Sequence, residues 1–249
     1  MEEITLSAEI EELNLESRFE GSMALHFLYQ ILKAAATLAS ASVLYPLSVF
    51  LYERYMCGNS YIEGRQLKFV GKLTKVYFIY LTGMFFTAAC LFVFNFIINR
   101  IAKNFDSKII EWGTNAFIAG INTLFITARV RKWKKANTVY QDSDNLENSY
   151  LEGNFIKIAA ITALSAVLGA VTFGLGLPWI QKLRAQYFVN HTTVCKEKLH
   201  FVGKTVDLYK KLPLWILLLL LTLGGFLLYI NYFFDVWTAK NTIIKKLEN

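Results

Sequence analysis

The chain has 249 residues, of which 55% are apolar and 18% charged, with a formal net charge of +7. A soluble domain carries about a quarter charged residues, so the deficit points away from an ordinary water-coated globule. The Lys and Arg residues gather at the ends of apolar runs, a placement that suits lipid headgroups and argues against a nucleic-acid-binding face.

Residues 1–22 form an acidic tail (Glu2, Glu3, Glu9, Glu11, Glu12, Glu16, Glu20) without the positive start of a signal peptide. Membrane entry is therefore expected to use the first internal helix. Five apolar runs follow, at 24–51, 76–98, 112–128, 158–180 and 214–234. A helix of about 20 residues crosses a hydrocarbon core about 30 Å thick. Five such runs leave little polar chain to coat them. The expected fold class is an all-α polytopic membrane protein of about five transmembrane helices in two tandem repeats, with short β-hairpin-like extramembrane segments. The expected organisation is a tail (1–22), a first membrane repeat (23–140), a polar linker (141–148) and a truncated second repeat (149–249).

The repeat is read by sliding the chain against itself by 132 residues. Ser17, Glu20 and Gly21 then meet Ser149, Glu152 and Gly153, and Pro46 meets Pro178. Leu67, Phe69, Val70, Gly71 and Lys72 meet Leu199, Phe201, Val202, Gly203 and Lys204. Each copy reads as a long helix with a Pro near its end, a short polar segment, and another helix. Leu67 and Phe69 alternate with Gln66 and Lys68 beyond Glu63-Gly64, which predicts a hairpin. Lys196-Glu197 makes a weaker turn in the second copy.

One pattern recurs four times: an aromatic, three residues, Asn or His, then Ser or Thr. The instances are Tyr55/Asn59/Ser60, Trp133/Asn137/Thr138, Tyr187/His191/Thr192 and Trp237/Asn241/Thr242. The spacing puts the aromatic and the amide on one helix face. Asn tolerates the left-handed conformation that closes helices. The pattern thus reads as an interfacial helix exit, with ligand binding by its polar tips as the alternative.

Arg18-Phe19-x-Gly21, Tyr45-Pro46, Leu177-Pro178-Trp179, Arg54-Tyr55-x-x-x-Asn59-Ser60, Arg184-x-x-Tyr187-x-x-x-His191-Thr192 and the Phe-x-Gly of Phe69–Gly71 and Phe201–Gly203 together resemble the YjgN-type family of bacterial inner-membrane proteins. The resemblance covers both halves. It implies a multi-pass protein of the bacterial cytoplasmic membrane, and it implies no chemistry.

If all five runs span, the first and fourth point in opposite directions, giving an inverted repeat. A re-entrant or interfacial third or fourth run is the alternative. The small residues of the first and fourth helices (Ala34 and Ala166 among them) are expected at the packed centre, with Phe92 facing lipid. Asn95, Asn115 and Asn122 are candidates to line a polar path or to bond between helices. Lys33 and Lys157 are expected to snorkel, and His26 to be interfacial. His191, Cys195 and His200 do not make a standard zinc pattern.

No nucleophile elbow, zinc-protease, P-loop or dinucleotide motif is present, so no catalytic, cofactor or metal residues are assigned and no enzyme is expected. Two functions remain open: a small transporter or channel, and a membrane-embedded scaffold, sensor or effector acting through a partner. Expected partners are the lipid bilayer and either a second copy or another protein, with no nucleic acid.

Overall fold

The computed structural model describes residues 16–40, 43–101, 107–143, 149–172, 174–222 and 226–245. Most of the acidic tail, residues 144–148 of the expected linker and the side chain of Ala166 lie outside them.

The elements are β1 (Arg18–Phe19), α1 (Met23–Ala39), α2 (Tyr45–Gly58), β2 (Ser60–Ile62), β3 (Arg65–Phe69), α3 (Leu73–Ile101), α4 (Ser107–Ala136) and β4 (Thr138–Tyr140). They continue as β5 (Tyr150–Leu151), α5 (Phe155–Val171), α6 (Leu177–Asn190), β6 (Thr192–Val194), β7 (Glu197–Phe201), α7 (Thr205–Tyr209), α8 (Leu212–Leu221), α9 (Leu227–Lys240) and β8 (Thr242–Ile244). The strands make two four-stranded antiparallel sheets of order β1-β2-β3-β4 and β5-β6-β7-β8.

This overturns the expected all-α polytopic architecture. Among the described residues one helix is long and apolar enough to cross a membrane, Leu73–Ile97 within α3. Of the other runs, 112–128 lies inside the unbroken α4, whereas the first, fourth and fifth are interrupted, and side-chain hydroxyls sit at their interruptions. Ser40 Oγ donates to the Ala36 carbonyl and accepts the Leu44 N–H at 2.9 Å, where the next helix begins. Thr172 Oγ1 does the same between Leu168 O (2.7 Å) and Gly176 N (3.0 Å), and Thr222 Oγ1 between Leu218 O (2.8 Å) and Phe226 N (2.9 Å). Each hydroxyl satisfies a backbone group at the end of one helix and another at the start of the next, so the chain can break without orphaned amides. Pro46 and Pro178 then fall in the first turn of α2 and α6, where the missing N–H costs nothing. They open new helices; they do not close long ones.

The hairpins turn on two residues with positive φ, Glu63 (46°) and Gly64 (77°) in one sheet, Cys195 (47°) and Lys196 (73°) in the other. That is the geometry of a two-residue turn whose twist matches the strands. Registers correspond: Tyr61 faces Gln66 and Thr193 faces Lys198. The outer strands were not expected. β1 comes from the end of the acidic tail and pairs with β2. β4 and β8 follow the last helix of each half and pair with β3 and β7. β8 gives the second half its own counterpart of the end of the first.

Phe69 and Trp133 meet edge to face at 5.1 Å, as do Phe201 and Trp237. Gly71 and Gly203 make this possible. A Cβ on either would come within 2.8 Å of the indole Cζ2. Val76 and Leu208, 132 residues apart, are both fully buried. The core is built of these bulky residues and of Trp215, Phe226, Ile230 and Phe234. Ala34, expected at the centre, is exposed.

Candidate functional site

The two halves grip each other. α9 packs on α1 and β1, and α4 packs on α5 and β5. Tyr232 of α9 donates to the Gly21 carbonyl at 3.1 Å and meets Phe19 and His26 edge to face. The sheets join through the ion pair Arg65–Glu197 and through Ile244 N–H donating to Glu63 Oε1 at 2.8 Å, and the Arg65 guanidinium also lies over the Tyr140 ring of its own sheet. Helices α2, α4, α6 and α9 therefore all run into one joined head. This removes the inverted arrangement, in which the exits of the first and fourth runs would lie on opposite sides.

All four exit patterns do the same thing. Asn59 Nδ2, Asn137 Nδ2 and Asn241 Nδ2 donate to the carbonyls of Tyr55 (2.7 Å), Trp133 (2.6 Å) and Trp237 (2.7 Å). His191 Nδ1 donates to the Tyr187 carbonyl at 2.8 Å and stacks on that ring at 4.3 Å. The following Ser or Thr closes another carbonyl four residues back. Tyr55, Trp133, Tyr187 and Trp237 pack beside the sheets. These eight residues are thus joined pairwise within each helix end and not brought into one binding site. Asn95, Asn115 and Asn122 lie on α3 and α4, each with a buried, unpartnered Oδ1. Lys33 lies over the Tyr45 ring, and Lys157 and His200 are exposed. Among the described residues no group of three His, Cys, Asp or Glu side chains could hold a metal.

The site that forms was not singled out in the sequence. A cavity of about 300 Å³ lies at the seam, lined by Tyr52, Glu53, Lys134, Asp235 and Thr238 and floored by the strands. Asp235 is surrounded by protein yet turns to this cavity. Its Oδ2 accepts the Tyr52 hydroxyl at 2.7 Å. Behind Tyr52 stands His26, fully buried, with Nδ1 at 3.4 Å from Tyr52 Oη and Nε2 at 3.5 Å from the Gln30 amide nitrogen. If Gln30 donates to Nε2, then Nδ1 carries the proton and the donors run Gln30, His26, Tyr52, Asp235 in one direction. Glu53 pairs with Lys134 at 2.5 Å, with side chains 14% and 22% exposed.

Burial pushes the Asp235 carboxyl up to about 6, against the pull of the Tyr52 hydrogen bond; Glu53 adds to the rise, and Lys134 and Arg184 oppose it. Burial, then the Asp235 charge, drive the Tyr52 hydroxyl above its usual range. Burial pushes the Cys57 thiol up to about 12, so it is an inert thiol and no nucleophile. His26 is lowered by burial and is held neutral. Arg184 stands 132 residues from Tyr52. Arg131 precedes Trp133 by the two positions that separate Asp235 from Trp237. The places that hold a Tyr–Asp pair on one side thus hold two arginines on the other, with Arg131 stacked on the Phe188 ring at 4.2 Å and its Nη1 buried without a partner.

A family model described as "Bacterial protein of unknown function (DUF898)" matches residues 13–198 and, again, 116–247. The chain belongs to the DUF898 family. This is the YjgN family of the sequence resemblance, and its description assigns no activity. No curated protein and no solved structure matches this DUF898 chain. At the seam of this DUF898 chain a carboxylate, a tyrosine and an ion pair face one cavity.

Proposed function

We propose that this DUF898 protein works at the bacterial cytoplasmic membrane, anchored by α3 with α4 returning beside it to the head, as a non-catalytic scaffold, sensor or effector that acts through its two-sheet head. The observation that carries this reading is a stripe of uncovered aromatic rings. Phe78, Phe85 and Phe92, seven residues apart on α3, are 67%, 75% and 74% exposed. Seven residues are close to two helical turns, so the three rings form one line. Gly83 and Phe86 meet Ile126 and Phe125 of α4 on another side of the helix. Moving each Phe from water to hydrocarbon stabilises insertion by about 1.5–3 kcal/mol. Twenty-five residues reach about 38 Å, enough for the hydrocarbon core. Lys72 and Lys75 stand at the head end of this helix, where anionic headgroups would meet them.

The test is flotation of the purified chain with vesicles carrying acyl-chain bromine. Bound protein should lose fluorescence from Trp112, which is 78% exposed, and keep that of the buried Trp133 and Trp237; Trp112→Phe identifies the quenched signal. A chain that stays in the aqueous layer without detergent would end this reading. A conduit for a small solute is the second reading, favoured by the cavity between the halves. Solute flux into reconstituted vesicles, lost on filling the cavity by Ala239→Trp, would support it.

A further inference from the structure

The seam cavity presents acceptors almost everywhere. Five Ser and Thr residues are in its lining: Ser60, Thr138, Thr192, Thr238 and Thr242. Each donates its proton to the carbonyl four residues earlier, at 2.6–2.9 Å. A hydroxyl has one proton, so all five have only lone pairs left for the cavity. Tyr52 has likewise given its proton to Asp235. The Asp235 carboxylate accepts only. Asp235 and Thr238 are three residues apart on α9, hence on one face, and both line the space. Lys134 is engaged by Glu53, and the Cys57 thiol faces Thr138 Oγ1 at 3.7 Å. Val189, Val194, Leu199 and Ala239 also line the cavity and offer aliphatic contact.

A lining of lone pairs around one carboxylate, with an aliphatic wall, is complementary to a ligand that donates several hydrogen bonds and carries positive charge. We propose that the cavity binds a small aliphatic primary ammonium, its N–H donors satisfied by Asp235 and the neighbouring hydroxyls. A hydrogen bond from an ammonium to a carboxylate is about twice as strong as one between neutral groups. Lys135 is the cation at this cavity for which no ion pair forms among the described residues. It is the place where a ligand's own carboxylate would sit, so amino-acid-like zwitterions fall within the proposed class. An inorganic anion would need Lys134 and Lys135 against the two carboxylates and finds no hydroxyl proton to accept.

The experiment is calorimetric titration of the full chain, in detergent or lipid nanodiscs at pH 7.5, with propylammonium chloride. Tetramethylammonium, which has no N–H, and inorganic phosphate are titrated in parallel. Saturable propylammonium binding is expected, weakened at least tenfold in Asp235→Asn and several-fold in Thr238→Val. Both substitutions keep the side chain's shape, and Asn keeps an acceptor for Tyr52; an unchanged circular dichroism spectrum verifies the fold. Tetramethylammonium should bind at least tenfold more weakly. No saturable propylammonium binding, equal binding by folded Asp235→Asn, or saturable binding of phosphate instead would each overturn the proposal. Membrane attachment is read separately by flotation, so failure of one claim leaves the other measurable.

Discussion

The two halves agree in their strands and in their first pair of helices, of 17 and 14 residues in each, and part company in the helices that follow. Both place a hairpin of matching register, a Phe against a Trp, and a Gly under the indole. Beyond that, the first half sends out α3 and α4, of 29 and 30 residues, while the second has α7, α8 and α9, of 5, 10 and 14. The layer above the sheets differs too, with Tyr52 and Asp235 on one side and Arg184 and Arg131 on the other. The head and the helix pair that enters it first are thus the shared geometry between halves, and the later helices and the polar layer are where one half acquires what the other lacks.

Truncating the indoles gives the largest test of this comparison. Trp133→Ala and Trp237→Ala should each cost about 3–5 kcal/mol in thermal or denaturant unfolding, through lost contacts and the cavity left behind. A large cost at one site with tolerance at the other would break the equivalence of the two heads. Gly71→Ala and Gly203→Ala come next, at about 1–3 kcal/mol each, because the added methyl meets a packed ring.

Asp235 provides a pH test of similar size that separates the two sides. Its carboxyl titrates near 6 in the folded chain and near 4 unfolded. Between these values the folded state holds more protons, so this group's contribution is present in full below about pH 4 and is lost as pH rises through about 6, a change of about 1–3 kcal/mol. Asp235→Asn should remove that loss. His26 titrates in the opposite sense: burial lowers it, so stability falls as pH drops below its ordinary range. The variant should therefore show declining stability towards acid, where the parent is partly compensated by Asp235. Tyr52, Glu53, Lys134 and Arg184 face the same group, and a pH profile identical in parent and variant would show that another of them governs it. The smallest effect belongs to the helix ends. Asn137→Ala and Asn241→Ala should each cost about 0.5–1.5 kcal/mol, the net worth of one hydrogen bond.

Several local features were legible before the fold was known. Leu67 and Phe69 alternate with polar neighbours, and that alternation is the strand. The four spacings of an aromatic and an Asn or His recur because each helix must close its carbonyls before the chain turns into a strand. β1, β4, β5 and β8 were not legible, because two or three residues are too few to show a period. The breaks after Ser40, Thr172 and Thr222 were hidden for another reason. Hydropathy counts apolar residues and does not register a hydroxyl that ends one helix and starts the next.

The seam was the least legible part. Tyr52 and Asp235 are separated by 183 positions, and no local pattern links them. The spacing from Trp133 and Trp237 would have aligned Arg131 with Asp235, but only the packing of α9 on the first half shows what those places face.

Sequence alone determined the family, the hairpins and the helix-closing residues, since each depends on neighbours a few positions apart. Tertiary structure decided how many apolar runs are continuous helices, which strands complete each sheet, and that a carboxylate, a tyrosine and five spent hydroxyls share one cavity. Those outcomes depend on which distant backbone groups find partners, and a linear reading of side-chain polarity contains no term for that.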